Sequence, residues 1–431
     1  MRHEEKALNR IAADMVVDHV GQLCTLHDPE LVAGPRRGDG MASLGIVTDG
    51  ALVIRDGRVL DCGPRDRVLA DAVVGSSTEL VDADGACVVP GWVDPHTHAV
   101  YGRTRQDEFE RRIRGETYLE IAAAGGGIHA SVADLRTRSQ DDLIALTVKR
   151  LLELRSFGTT TIEIKSGYGL SFEDEVKMLR AARIASRVAD MGAVLTCLAA
   201  HELPGEYRDR RGEYVALICE EILPTVAAEH LAERLDVFCE PTVFDLEETE
   251  TILRTGLDLG LRACVHADEL ASFGGAALAA RLGADSADHL IRIDADGISA
   301  LAASDTVAVL LPGTVFTLGL QKYAPARELI AAGCAVALAT DYNPGSSPVP
   351  SMPLIQSIAC TQMRMSPAEA LVAVTLNAAW ALGRAHDVGS LAPGKQADFL
   401  ILDADDYRLV AYHAGRNPVA AVYREGRRLN S

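Results

Sequence analysis

Between residues 87 and 385 the chain repeats one pattern, a short apolar run followed by a longer amphipathic stretch. The apolar runs fall at 87–94, 159–165, 193–200, 235–240, 261–267, 286–290, 306–311 and 335–340. Helical periodicity separates them, as at 171–189 and 247–259. Short strands alternating with helices are the mark of parallel βα units, and eight of them closing on themselves predict a TIM-type (β/α)8 barrel. An open doubly wound sheet would carry a GxGxxG turn after its first strand, and none is present. Gly125-Gly126-Gly127 follows a helix-like segment and is a weak phosphate signal. The flanks read differently. Alternating runs punctuated by glycine at 50–57 and 79–85 are matched at the far end by 389–402 and 420–426, the language of hairpins and small sheets. The expectation is therefore an α/β chain with its barrel at 87–385 and a small composite β-sandwich domain from 1–86 and 386–431.

Composition changes this picture in three ways. With 48% apolar residues the chain can bury a large core. A formal charge of −19 argues against a nucleic-acid partner, and obliges any anionic small-molecule substrate to find a local cationic site. The 9 cysteines are scattered without zinc-ribbon spacing, which predicts free thiols in a reducing compartment. The N-terminal segment has acidic residues where a secretory leader needs basic ones, and no apolar run reaches membrane-spanning length. A cytoplasmic protein without a membrane partner is expected.

The chemistry gathers at predicted strand ends. In Asp94-Pro95-His96-Thr97-His98 the two imidazoles are two residues apart on an extended chain, with Cα atoms about 6.6 Å apart on one side. They can converge on one metal. Strand 3 runs into His201, strand 5 into His266, strand 6 into His289 and strand 8 into Asp341. Each histidine alone is more often a packed residue than a ligand; five at one rim, on the face where barrels keep their active sites, are not. Three imidazoles and a carboxylate suit Zn²⁺ or Fe²⁺ with a position left for water, whose pKa such a metal lowers. Strand 4 lacks the lysine of two-metal sites, so one metal is expected, and Lys165 is read as a packed or hydrogen-bonded residue.

Taken together, Asp94–His98, Gly125–Ile128, Gly158–Leu170, Asp236–Glu240, His266–Glu269, Ser286–Leu290, Leu310–Gly313 and Thr340–Gly345 resemble the imidazolonepropionases, a family of the amidohydrolase superfamily active in histidine degradation. The resemblance runs from about residue 85 to the C-terminus. It implies hydrolysis of 4-imidazolone-5-propanoate to N-formimidoyl-L-glutamate by a metal-activated water. By position it makes His96, His98, His266 and Asp341 the ligands of one zinc or iron ion per subunit. Arg105, Tyr168 and His201 would hold substrate, and Asn343, Gly345 and Ser346 would line the opposite side. Ser346 stands where such sequences often carry threonine, and keeps the hydroxyl. Glu269 would contact the ring and shuttle protons, and His289 would orient the attacking water. A homodimer is implied as well.

The propanoate tail requires a cation, and a guanidinium offers a bidentate fork. Without the resemblance Arg105 and its neighbour Arg103 are equal candidates. Tyr118 is a further candidate for substrate contact, and residues 201–211 can be read as a lid or a solvated loop. A nucleobase or guanidino deaminase would keep the metal set without needing the arginine. A binding scaffold that had lost catalysis would lack a ligand.

Overall fold

The computed structural model describes residues 12–28, 34–116, 120–121 and 124–430. Its strands run in three blocks. The first holds β1 (Met15–Cys24), β2 (Ile46–Arg55), β3 (Arg58–Pro64), β4 (Glu79–Asp82) and β5 (Cys87–Pro90). The second is β6 (Trp92–Asp94), β7 (Thr159–Lys165), β8 (Gly192–Ala200), β9 (Arg234–Cys239), β10 (Arg262–Ala267), β11 (Ser286–His289), β12 (Val307–Leu310) and β13 (Val336–Leu338). The third is β14 (Phe399–Leu402), β15 (Val419–Arg424) and β16 (Arg427–Leu429).

The outer blocks form one sheet in the order β16-β15-β14-β5-β1-β2-β3, with β4 beside β1. It folds over on itself: Val59 N–H donates to the Lys395 carbonyl (2.8 Å), and Ala397 N–H to that of Gly57 (2.9 Å). The faces so enclosed bury Leu23, Leu52, Ile54 and Leu391 around Phe399 and Tyr423, whose rings stack at 4.3 Å. The small module built from both ends of the chain is thus a sandwich made from a single sheet. One expectation needs correcting. Cys87–Pro90 is not the start of the first barrel strand but pairs with β1 and β14 in the terminal sheet. Pro90 cannot donate to a ladder, and Gly91 crosses so close to the barrel that a Cβ there would lie 2.3 Å from Thr160 Oγ1. The strand expected at 87–94 is therefore cut in two at Gly91.

Strands β6 to β13 form the second sheet in sequence order, every pair parallel. Its ends meet just beyond β6 and β13, where Asp341 N–H donates to the His96 carbonyl (3.1 Å) and His98 N–H to that of Tyr342 (2.9 Å). Helices between the strands begin where the sequence supplies caps. Ser171 caps Phe172–Val188 through the Asp174 N–H, and Asp245 with Glu248 makes a capping box for Leu246–Asp258. No helix among the described residues is long and apolar enough to cross a membrane.

Candidate active site

The C-terminal ends of the barrel strands and the segments just beyond them bring five imidazoles and one carboxylate to a single rim. His96 Nε2 and His98 Nε2 are 3.3 Å apart, and Asp341 Oδ1 lies 3.6 Å from the first and 3.5 Å from the second. Metal–nitrogen bonds of about 2.0–2.1 Å at a tetrahedral angle put ligand atoms about 3.3 Å apart, so this triangle has the dimensions of a coordination face. His266 joins from β10, with its ring 4.5 Å from that of His96. His289 and His201 complete overlapping groups of possible ligand atoms that all lie within 4.8 Å of one another. The residues can hold a metal ion.

What lies behind the imidazoles supports that reading. His96 Nδ1 is 2.6 Å from Asp288 Oδ2, and His266 Nδ1 is 2.8 Å from Asp236 Oδ2. A carboxylate behind a histidine fixes its tautomer and turns the other nitrogen toward the metal. Burial holds the His96, His98 and His289 rings well below the ordinary imidazole range, in the neutral form a ligand needs. Burial pulls His266 the same way, but Asp236 more than offsets it and raises the ring overall. Asp341 is lifted to about 6 by burial, against a hydrogen bond from Thr314. Asp341 (φ 52°) and His289 (φ 78°) occupy the left-handed region, sparsely populated by such residues and often seen at functional sites.

The other candidates surround this cluster. His201 stacks on His98 with centroids 5.0 Å apart, and its Nδ1 pairs with the Gly167 carbonyl at 2.9 Å, leaving Nε2 for the site. The buried Tyr168 ring lies 6.0 Å from His98 and 5.4 Å from His201. Glu269 approaches His289, Oε1 to Nδ1 at 3.6 Å. Burial, with Asp341 adding repulsion, pushes its carboxyl up to about 8. Arg105 stands just before the helix Gln106–Ile113, donates to Glu108 at 2.6 Å, and leaves its Nε buried without a partner. A Cβ on Gly345 would lie 2.3 Å from Arg105 Nη1, so this glycine makes the seat for the guanidinium. Arg103, the rival, is exposed. Asn343 is committed to its own loop, accepting from the N–H groups of Gly345 (2.8 Å) and Ser346 (2.7 Å) and donating to the Ser346 hydroxyl (2.9 Å). Tyr118 lies outside the described residues. The 201–211 segment holds a short turn, Gly205–Tyr207, and then opens the helix Arg211–Leu217.

Sequence reading missed the groups that shape the rim. The Glu175 carboxylate accepts from the N–H groups of Gly167, Gly169 and Leu170 and so moulds the loop that carries Tyr168. Glu240 does the same for Glu269, Leu270 and Ala271, and Asp268 for Phe273, Gly274 and Ala276. Asp236, Asp288 and the buried Lys165 beneath the histidines were also passed over as site residues. For Lys165 and Asp236 the signal was a charged residue every second position, Glu163 and Lys165 on β7 and Arg234 and Asp236 on β9.

Comparison with known proteins agrees with this geometry. Residues 103–429 match the Amidohydrolase family. An imidazolonepropionase of Solibacter usitatus is 48% identical over 417 residues, spanning 96% of this chain and 98% of that protein. One of Symbiobacterium thermophilum is 48% identical over 96% of each. Among solved structures, a zinc-bound adenosine deaminase of Xanthomonas campestris matches with a TM-score of 0.72 at 18% identity, over 97% of this chain and 93% of that one. At that identity the likeness is one of fold.

Proposed function

The chain belongs to the imidazolonepropionase family of amidohydrolases, hydrolases of a carbon–nitrogen bond in histidine degradation, and from that premise we propose how its residues open the ring of 4-imidazolone-5-propanoate to give N-formimidoyl-L-glutamate. His96, His98, His266 and Asp341 hold one Zn²⁺ or Fe ion per subunit. The observation that carries this is the triangle of His96 Nε2, His98 Nε2 and Asp341 Oδ1, with edges of 3.3, 3.6 and 3.5 Å. The bound ion supplies Lewis acidity toward the ring carbonyl and lowers the pKa of water in the site.

The remaining steps fall to side chains. Arg105 grips the propanoate carboxylate with its planar fork, and Gly345 leaves room for that grip. Tyr168 and His201 pack the ring from the side of His98, while the loop of Asn343, Gly345 and Ser346 walls the other. Water adds to the ring carbonyl carbon, the carbon–nitrogen bond breaks, and the leaving nitrogen must gain the proton the water has lost. Glu269 is placed to carry it. Its side chain is 14% exposed, and a carboxyl raised by burial can both accept and return a proton near neutrality. His289, within reach of Glu269, orients the attacking water and steadies the negative charge that develops on oxygen.

We place the enzyme in the cytoplasm, in keeping with nine cysteines that are all free, and as a homodimer acting on a small anionic substrate. The direct test is to follow loss of the imidazolone absorbance with fresh substrate before and after treatment with a chelator. Turnover should require stoichiometric metal and return on adding Zn²⁺ or Fe²⁺. Undiminished turnover by metal-free protein would overturn the ligand assignment.

A further inference from the structure

The interior of a (β/α)8 barrel is ordinarily filled by branched apolar side chains. Here the layer below the metal-site histidines is charged. Lys165 is 1% exposed, and Glu163, Asp236, Asp288 and Arg234 are 0–1% exposed. Lys165 Nζ lies 2.7 Å from Glu163 Oε2, 2.8 Å from Asp236 Oδ2 and 3.7 Å from Asp288 Oδ2, with Cys264 Sγ at 3.6 Å. The ammonium therefore lies in the cluster of possible metal ligands formed by Asp236, Cys264 and Asp288, the one such cluster among the described residues that contains no histidine. Glu163 is held in turn by Arg234 (3.1 Å) and by the Thr196 hydroxyl.

Two of these carboxylate oxygens are shared. Asp236 Oδ2 touches both Lys165 Nζ and His266 Nδ1, each at 2.8 Å. Asp288 Oδ2 touches His96 Nδ1 at 2.6 Å and faces Lys165 at 3.7 Å. His96 follows the first barrel strand and His266 ends the fifth, so one ammonium ties together histidines from distant parts of the sheet. A buried lysine is expensive to desolvate and would serve poorly as mere filling. Its pairing with three carboxylates, themselves buried, keeps it charged. Without it, Asp236 and Asp288 would face each other uncompensated, and neither could hold its imidazole as before.

We propose that Lys165 is a positioning residue for the metal centre, setting through Asp236 and Asp288 the orientation and donor strength of His266 and His96. This rests on the ligand set proposed above. Outer partners of metal-binding histidines are commonly worth about 10- to 100-fold in metal affinity, and this lysine serves two such partners at once.

The test uses the full-length protein, stripped of metal and checked by circular dichroism. Zn²⁺ affinity is measured by competition with a chromogenic chelator, and ligand geometry by the visible bands of the Co²⁺ form. Lys165→Met and Asp288→Asn should each weaken Zn²⁺ binding by about 10- to 100-fold and alter the Co²⁺ bands. If the lysine acts through the carboxylates, the double variant should lose clearly less than the two single losses combined. Wild-type affinity and an unchanged Co²⁺ spectrum in Lys165→Met, or losses that simply add in the double variant, would overturn the proposal. Should Lys165→Met fail to fold, Lys165→Arg decides the matter, since it keeps the charge and moves it. Weakened binding with altered Co²⁺ bands supports the positioning role, and wild-type behaviour refutes it. A wild-type protein that holds no metal would instead sink the ligand set itself, a separate failure.

Discussion

The two sheets of this molecule solve opposite problems with similar lengths of strand. The terminal sheet encloses Leu23, Leu52, Ile54, Phe399 and Tyr423, an apolar filling. The barrel encloses Glu163, Lys165, Arg234, Asp236 and Asp288 directly under its functional rim. An apolar interior needs only shape and volume, and tolerates substitution according to the space it leaves. A charged interior is stable only when every member finds its partner, so it fixes directions as well as volumes. The lesson is that the barrel uses its interior to aim side chains, whereas the terminal sheet uses its own only to hold itself together.

Substitutions in the two regions should therefore differ in kind. The largest effect is expected at the rim: His266→Ala or Asp341→Ala should remove both bound metal, read by elemental analysis, and all measurable turnover. Normal metal content in either variant would strike that residue from the ligands. Glu269→Gln should keep its metal yet lose about 10²- to 10⁴-fold in kcat, the usual worth of a placed proton carrier; a near-normal rate would end its candidacy. Arg105→Ala should act on KM, raising it by roughly 10- to 100-fold for a lost charge-assisted pair of about 1.5–3 kcal/mol. Gly345→Ala should shift KM in the same direction by pushing the guanidinium from its seat, and Arg103→Ala should not. The smallest effect on turnover is expected in the terminal sheet. There Phe399→Ala should cost about 3–5 kcal/mol of stability in denaturant titrations while kcat stays unchanged, and a matching fall in kcat would erase the contrast between the sheets.

How much of this was legible in the sequence follows from what each pattern encodes. The barrel was, because eight apolar runs spaced by helical periodicity admit few architectures. The rim histidines and Asp341 were, because each lies at or just beyond the C-terminal end of such a run. The charged layer was only half legible: the alternation of Glu163 with Lys165 and of Arg234 with Asp236 puts each pair on one face, but in strands buried on both faces it does not say which face lines the barrel interior. The cut at Gly91 was signalled only by Pro90-Gly91 in the middle of 87–94, a run read as one strand whose two halves belong to different sheets. Between Arg105 and Arg103 the residues alone gave no choice and the resemblance favoured Arg105; the seat at Gly345 and the exposure of Arg103 are visible only in three dimensions. The carboxylates of Glu175, Glu240 and Asp268 are invisible in one dimension, because their partners are backbone N–H groups, which every residue but proline carries.

The meeting point of β6 and β13 has a consequence for the mechanics of the whole wall. Among the described residues, hydrogen bonds join this edge through the backbone of His96, His98, Asp341 and Tyr342, so the hoop is fastened in part by three of the residues proposed to hold the cation. An ion seated between the paired imidazoles and the aspartate would act as a buckle across that join. Losing it would slacken the hoop at its clasp as well as silence the chemistry.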